Sequence, residues 1–403
     1  MSQLRGRALL LASAIGDMIA TRSVRHPGAR DTHPSKRDTS NPGPDNPVLL
    51  TQFPSSVAPP QTDKGHVPNL WFPFSQAHRR IQHGGWSREV TVKDFVAAKE
   101  IAGVNMRLTP GGVRELHWHL AAEWAFMLTG SAQITAVDQH GRRFVDNVGP
   151  GDLWYFPAGI PHSIQGLEPA GCEFILAFDD GNFSEFDTFT ISDWAGHTPK
   201  EVLAKNFGVD AVAFADVPRE QLYIFQGKIV AAQPTQIGAP GVVPQSFSFR
   251  LGAKQPDYQT ASGSVRIADS HNFPVSTTIA AALVEVEPGG LRELHWHPNA
   301  DEWQFWISGQ ARMTVFAAGG RARTFDFHAG DVGTVPRAMG HYIENTGNEA
   351  VRYLELFRAD EFAEVPLTAW AAHTPHDLVA QHLNIDPALL DKLPDRKQPV
   401  VPA

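Results

Sequence analysis

An internal repeat constrains the fold of this chain more than any other feature. The segment Pro110-Gly111-Gly112-Val113-Arg114-Glu115-Leu116-His117-Trp118-His119 returns as Pro288-Gly289-Gly290-Leu291-Arg292-Glu293-Leu294-His295-Trp296-His297, shifted by 178 positions with nine of ten residues identical. A second segment, Gly151-Asp152-Leu153 through Pro157 to His162, returns as Gly330-Asp331-Val332 through Pro336 to His341, shifted by 179. Each copy closes alike, on Trp194-Ala195-Gly196-His197-Thr198-Pro199 and Trp370-Ala371-Ala372-His373-Thr374-Pro375. A chain of 403 residues exceeds the size at which one hydrophobic core keeps growing. The repeat therefore reads as two homologous domains in tandem. We place them at 55–225 and 226–403, after an N-terminal arm at 1–54.

Between the two motifs of the first copy the apolar residues fall in short runs, at 124–128, 132–137 and 173–178, separated by Gly, Pro and Asp. Many short strands with closely spaced turn signals indicate an all-β barrel or sandwich, and the duplication makes two. Thr198 and Thr374 stand where an N-cap belongs, with Pro199 and Pro375 at the first helical position, which predicts a helix closing each half.

Composition excludes several classes of function. No run approaches 18 uninterrupted apolar residues, so no transmembrane helix is expected and a membrane is not a partner. With 34 basic against 43 acidic residues, the chain lacks the electrostatic footprint of a nucleic-acid binder. Cys172 is the only cysteine, which rules out an internal disulfide framework and a thiolate zinc cluster. The arm at 1–54 has neither helical nor strand periodicity over 38–47 and is expected to be disordered. Arg5 and Arg7 before the apolar stretch 8–16 give it the outline of a secretion signal. However, Asp17 cuts that stretch short and Ala12-Ser13-Ala14 lies inside it, so a cytoplasmic location is favoured over export.

The supply of 18 histidines points to nitrogen-ligated metal. Alternate residues of a strand face the same way, so His117 and His119 share one side and Trp118 takes the other, packed outside the barrel; His295, His297 and Trp296 repeat this. Glu123 follows His119 by four residues and Glu302 follows His297 by five, close enough for a turn to bring a carboxylate to the same ion. His162 and His341 arrive from a distant strand. An isolated His-X-His is weak evidence, since such pairs are commonly surface or packing residues. Here all four ligand types recur at nearly equal spacing in both halves. Three nitrogens and one carboxylate oxygen leave an octahedral ion two open positions, which is a catalytic rather than a closed structural arrangement.

These residues carry a family resemblance. Gly111, His117, His119, Glu123 and Gly130 match the first cupin motif, and Gly151, Pro157, Gly159 and His162 the second. Gly289, His295, His297, Glu302 and Gly309, then Gly330, Pro336, His341 and Asn345, repeat them. Gly166 and Ala338 depart from the usual Asn and Gly of the motif, and neither is a ligand. Within the cupins the chain most resembles the two-domain oxalate decarboxylases, from about Thr62 to near Val400, on Arg-Glu-Leu-His-Trp-His in both halves, on 151–157, on 178–185 and on 338–345. The resemblance implies two jelly-roll (double-stranded β-helix) barrels, each followed by short C-terminal helices. It further implies manganese in each half, oxalate as substrate, dioxygen as co-catalyst, formate and CO₂ as products, and a hexamer of two trimers. The alternatives are an oxalate oxidase, giving CO₂ and hydrogen peroxide, and a non-catalytic storage or ligand-binding bicupin. Retention of all eight candidate ligands speaks against the last.

Splitting oxalate heterolytically would leave a carbanion on a carboxyl carbon with no electron sink beside it, and no pyridoxal or thiamine motif is visible to supply one. A redox-active metal offers another route, with the protein setting orientation and proton supply. Arg114 and Arg292 lie three residues before a ligand histidine, and a guanidinium suits paired hydrogen bonds to a carboxylate. Strict alternation would turn Arg114 toward the Trp118 face, so substrate binding and a surface ion pair both remain open for it. The stretch from Phe178 to Trp194 spans 16 positions and that from Phe357 to Trp370 spans 13, so the first half carries a longer loop. By the resemblance, Ser184-Glu185 in that loop forms a lid with Glu185 as catalytic acid, although Phe186 and Asp187 depart from the usual polar residues. Glu355 shares a strand face with Tyr353 and Phe357, where apolar surroundings raise a carboxyl's pKa. It matches the family's second-site glutamate. Because only the first half has the longer loop, the first site is expected to be the main catalytic one.

Overall fold

The short apolar runs pair into four antiparallel sheets among the described residues, which in this computed structural model are 46–230, 232–394 and 397–402. In the first half, one sheet has the order Ser248–Phe249, Leu153–Phe156, Glu123–Gly130, Cys172–Phe178, Ala102–Leu108, Gly85–Val90, Arg79–Gln82. The other runs Phe189–Thr190, Gly112–Trp118, His162–Gly166, Ala132–Val137, Arg143–Val148, with Ile224–Gln226 also paired to Gly112–Trp118. The second half repeats this plan. The strands expected at 124–128, 132–137 and 173–178 fall within Glu123–Gly130, Ala132–Val137 and Cys172–Phe178. Each half is a jelly-roll barrel of two facing antiparallel sheets, and the all-β duplication expected from the repeat is what the chain forms.

The halves are not separate beads. Trp71–Pro73 joins the second barrel through Asp331–Val335, with Trp71 opposite Gly333, while Ser248–Phe249 joins the first through Leu153–Phe156, with Ser248 opposite Trp154. Each half thus lends a short strand to the other's sheet. Gly103 shows how closely the barrels approach, because a Cβ there would sit 2.4 Å from Cζ2 of Trp303. One apolar core runs from Val104, Met106 and Phe174 in the first barrel to Trp303, Leu354 and Leu356 in the second. The domains at 55–225 and 226–403 stand as a proposal about the sequence, and the sheets run across that division.

Two expectations need correction. Each half closes on short helices, as the resemblance implied, Ile191–Gly196 with Lys200–Phe207 and Leu367–Ala372 with His376–Leu383, where the Thr-Pro signal alone marked one per half. The N-caps of the later helices are Pro199 and Pro375, not the threonines. The Thr198 and Thr374 hydroxyls instead donate to the carbonyls of Trp194 and Trp370, at 2.8 and 2.7 Å, and so close the preceding helix. The arm expected to be disordered at 1–54, with its secretion-like start, lies largely outside the described residues. Its end is ordered, with helices at Pro47–Gln52 and Pro54–Val57. Phe53 packs edge-on against Trp71 at 4.5 Å and the Ser55 amide donates to Asp326, which anchors this part to the second barrel.

Candidate metal centres

His117 lies near the end of strand Gly112–Trp118, directly opposite His162, which opens strand His162–Gly166. His119 follows past the strand end, and Glu123 opens the next strand after a short turn. The ligand atoms of His117, His119, Glu123 and His162 all lie within 4.8 Å of one another, and so do those of His295, His297, Glu302 and His341. All eight residues are buried. The four residue types expected from each repeat therefore converge twice, and no other such cluster of His, Cys, Asp or Glu occurs among the described residues.

Hydrogen bonding settles which ring nitrogen faces each centre. Nδ1 of His117, His119 and His162 lies 2.6, 2.6 and 2.7 Å from the carbonyls of Glu115, Ala121 and Ile160. Those of His295, His297 and His341 meet the carbonyls of Glu293, Ala363 and Met339. A carbonyl only accepts, so Nδ1 carries the proton and the Nε2 lone pair points inward, which is how metal-ligating imidazoles are oriented. Burial, with the nearby Arg114 and the other two rings, holds His117 well below the ordinary imidazole range; burial, with Arg292 and neighbouring rings, does the same for His295. The Glu123 carboxyl is held low despite burial, by His162 and His119 around it. Burial would lower His297 too, but the adjacent Glu302 outweighs it and raises that imidazole; binding an ion would displace that proton, since neutral imidazoles and an ionised carboxylate are the donor states a first-row divalent ion requires. In the second centre Nε2 of His295, His297 and His341 and Oε2 of Glu302 are buried with no conventional hydrogen-bond partner, the condition of atoms that wait for an ion.

The alternation that would turn Arg114 away is broken. His162 pairs with His117 but Ile164 pairs with Arg114, so two steps on one strand face three on the other. This bulge re-aims the arginine, and both Arg114 and His117 are buried. Arg292 and His295 show the same shift against His341 and Ile343.

The arginines differ in company. Arg292, fully buried, bonds Glu355 at 3.1 Å and also Glu364. One guanidinium cannot neutralise two carboxylates. Glu364 is held low by Arg292 against its burial, whereas burial raises Glu355, which also accepts from the Tyr353 hydroxyl at 3.0 Å. Around Arg114 no carboxylate lies within 4.0 Å among the described residues. Its guanidinium donates to the Tyr223 carbonyl at 3.3 Å and lies 4.3 Å from that ring's centroid. Leu176 occupies the place of Glu355 in the first barrel.

Glu185 is buried in the short 3-10 turn Glu185–Asp187. Its Oε2 accepts from the Ser87 hydroxyl at 2.6 Å and from the Tyr223 hydroxyl, while its amide donates to Glu89. Burial and the adjacent Glu185 hold the Tyr223 phenol protonated well above its ordinary range. Phe186 is exposed and lies 5.2 Å from the Arg80 guanidinium. Phe178 and Phe183 stack at 3.6 Å and flank His119 with apolar rings. Trp118 stacks on Phe189 and meets Trp194, and Trp296 meets Trp370, so both indoles pack on the closing segments, as alternation requires.

The chain matches the cupin family over 73–213 and 249–389. It is 53% identical over 352 residues to the oxalate decarboxylase OxdC of Bacillus subtilis, covering 87% of this chain and 91% of that one. The chain belongs to the bicupin oxalate decarboxylase family. An oxalate decarboxylase of Arthroderma benhamiae is 38% identical, with 98% of this chain and 99% of that one covered. A solved structure of the Bacillus subtilis oxalate decarboxylase, from work on its Mn(II) centres, superposes with a TM-score of 0.86 at 51% identity over 90% of this chain and 96% of that chain.

In this bicupin the eight ligands lie where the repeat placed them, and Arg292 with Glu355 forms one buried cluster. Sequence reasoning missed Ser87 and Tyr223, which stand far from every motif and left no signal. It also missed Glu364, for which a signal existed. Phe183-Ser184-Glu185 starts five residues after Phe178, and Phe362-Ala363-Glu364 starts five after Phe357, so Glu364 is the counterpart of Glu185.

Proposed function

We propose that this chain is a manganese-dependent oxalate decarboxylase that works at its first-half centre, converting one oxalate and one proton to one formate and one carbon dioxide. The observation that carries the reading is the contrast between the arginines. Arg114 has no carboxylate partner, so its paired donors remain available to a substrate carboxylate, whereas Arg292 is already held by Glu355 and Glu364. The donor set of His117, His119, Glu123 and His162 would hold manganese, the metal of the Bacillus subtilis centres, and His295, His297, Glu302 and His341 would hold a second. With dioxygen as co-catalyst, the ion would supply the one-electron chemistry that carbon-carbon cleavage needs.

The chain's own residues do the rest. Three neutral imidazoles and one carboxylate leave a divalent ion a net positive charge, and Arg114 adds another, so the site attracts an anion although the protein carries a net charge of −9. Arg114 orients the substrate. Phe178 and Phe183 keep water from the His119 side. Glu185 delivers the proton that replaces the departing CO₂, with the Ser87 and Tyr223 hydroxyls fixing its carboxyl. We further propose a hexamer of two trimers, supported by the exposed Trp194 and Phe207 on the first helix pair and Trp370 and Leu383 on the second. Mass measurement in solution tests that assembly.

The test of function is to incubate manganese-loaded protein with oxalate and follow formate, CO₂ and peroxide together. Formate and CO₂ in equal amounts, with little peroxide, support the reading. Peroxide with two CO₂ per oxalate makes the chain an oxidase, and absence of turnover with metal bound makes it a ligand-binding bicupin.

A further inference from the structure

The turn that carries Glu185 lies against a hairpin at the edge of the first barrel. Strands Arg79–Gln82 and Gly85–Val90 pair with Arg80 opposite Ser87. Opposite residues of an antiparallel pair point to one face, as does the residue two further along, so Arg80, Ser87 and Glu89 form a row. That row meets the turn Glu185–Asp187 at successive points. Glu89 accepts from the Glu185 amide at 3.0 Å, the Ser87 hydroxyl donates to the Glu185 carboxylate at 2.6 Å, and the Arg80 guanidinium lies 5.2 Å from the centroid of the Phe186 ring. The same guanidinium stands 3.5 Å from the centroid of Tyr223, whose hydroxyl donates to Glu185. Arg80 thus joins the lid to the group that holds the lid's acid. Its Nη1 is buried with no hydrogen-bond partner, an arrangement that costs free energy. Ring faces hold this guanidinium.

The second barrel shows that the fold does not require such a row. Its hairpin of Tyr258–Thr260 and Gly263–Ala268 starts the second strand on Gly263, as the first barrel's does on Gly85, and pairs Tyr258 with Val265. Tyr258, Val265 and Ile267 therefore stand in the places of Arg80, Ser87 and Glu89. All three pack into the apolar core of the second barrel. Glu364, the counterpart of Glu185, is held by Arg292 instead. The cation, hydroxyl and carboxylate belong to the half whose turn lies on them.

We propose that Arg80, Ser87 and Glu89 are the dock on which the lid closes, and that Arg80 is a positioning residue that couples Phe186 to Tyr223 and so keeps the Glu185 carboxyl seated. Ser87 and Glu89 grip Glu185 itself, and Arg80 extends the grip one residue along the turn. This gives a role to the exposed Phe186, which departs from the usual polar residue. The seat decides the product. With Glu185 in place, the radical anion left by loss of CO₂ takes back one electron and one proton as formate. With the lid away, the anion gives its electron to dioxygen and becomes a second CO₂, and the two electrons taken from oxalate, two protons and dioxygen make hydrogen peroxide. The ratio of peroxide to formate therefore reads the closing equilibrium of the lid.

The inference rests on the decarboxylase reading, and the experiment separates the two. Manganese-loaded parent protein, Arg80→Leu, Arg80→Lys and Phe186→Ala are compared for metal per chain, kcat and KM with oxalate, formate and peroxide yields, and hydrogen exchange at the amides of 184–188. Arg80→Leu should keep the metal and raise the peroxide-to-formate ratio about 5–30-fold, the worth of a partly desolvated cation–π contact. Exchange at 184–188 should quicken by a like factor while strand Gly112–Trp118 stays protected. The kcat for formate should fall with KM little moved, because the Tyr223 carbonyl still holds Arg114. Arg80→Lys keeps a cation beside the rings and should recover most of the parent ratio. Phe186→Ala removes only the exposed contact and should raise the ratio about 2–5-fold. A metal-loaded parent that forms neither product overturns the decarboxylase reading, and exchange at 184–188 then judges the dock alone. A parent that makes formate, matched by Arg80→Leu in product ratio and in exchange at 184–188, overturns the dock and leaves that reading intact. Faster exchange throughout the barrel would make Arg80 a residue of the fold only, which overturns the dock as well. Should Arg80→Leu fail to fold, Phe186→Ala decides, since that side chain is exposed.

Discussion

Glu185→Ala removes the one lid carboxyl that the fold buries beside Tyr223. General acid catalysis of this kind contributes about 10²–10⁴-fold, and each tenfold corresponds to about 1.4 kcal/mol of barrier. Formate production should therefore fall by at least about 100-fold, or about 3–5 kcal/mol. The substitution should spare the fold, because the Ser87 and Tyr223 oxygens lie 2.6 Å apart and can bond each other once the carboxylate is gone. It should spare the metal as well, since none of the four ligands bonds to Glu185. The assay measures formate, CO₂ and peroxide on protein with verified metal content. Peroxide should rise relative to formate, because a radical anion that lacks its proton donor becomes a second CO₂ by giving its electron to dioxygen, and that electron, the one first taken from oxalate and two protons together make hydrogen peroxide. Asp187 is exposed at the end of the same turn, so Asp187→Ala should have the milder effect. A formate rate for Glu185→Ala within about twofold of the parent, far below the range for a lost general acid, would refute the assignment and turn attention to Glu355.

The arginines should separate stability from activity. Arg292→Leu strands Glu355 and Glu364 in the interior and should destabilise the chain by about 3–5 kcal/mol. Arg114→Leu removes one charged hydrogen bond, about 1.5–3 kcal/mol, while abolishing most turnover; equal denaturant shifts for the two would contradict their different environments. Burial pushes the Cys172 thiol up to about 12, so the native protein should resist thiol reagents at neutral pH and release one reactive thiol on denaturation. Labelling of the native state at the rate of a free thiol would show that strand Cys172–Phe178 opens. A chain ending at residue 225 lacks Ser248–Phe249 and the Trp303 surface and should be insoluble unless co-expressed with 226–403. Cooperative unfolding of that half at the midpoint of the whole chain would show that the shared core is dispensable.

The ligands were legible because two physical regularities coincide in the sequence. His-X-His requires a strand to put both rings on one face, and duplication at a fixed offset shows that the pattern is not accidental. Arg114 was half legible. Its turn toward the centre depends on a bulge between it and His117, and a period-two reading has no means of locating one. The exchanged strands Trp71–Pro73 and Ser248–Phe249 were not legible, because a strand of two or three residues carries no periodicity and its partner lies in the other half. The same holds for Ser87 and Tyr223, whose only local mark is that their side chains are polar. Thr198 and Thr374 misled because Thr-Pro fits both a helix start and a hydroxyl closing the helix before it, and only the position of the Trp194 and Trp370 carbonyls decides.

The divergence of the two centres can be followed to a single strand position. Ile224 pairs with Arg114 and Val400 with Arg292, so Tyr223 and Pro399 occupy equivalent places. Both carbonyls do the same work, accepting from the arginine and from the amide of the glutamate after it. Above the backbone they differ. The Tyr223 amide donates to Glu115 Oε1 at 2.9 Å, but proline has no N–H, and Glu293 Oε1 is left buried without a partner. Burial then raises the Glu293 carboxyl to about 7. Tyr223 also sets its ring against Arg114, which shields the guanidinium without neutralising it, and sets its hydroxyl against Glu185. Pro399 can do neither. A buried guanidinium without an aromatic face needs anionic partners, and Glu355 and Glu364 meet that need, which leaves Arg292 no donor pair for a substrate. With a tyrosine at this place, arginine and acid both stay available; with a proline, both are consumed by the fold.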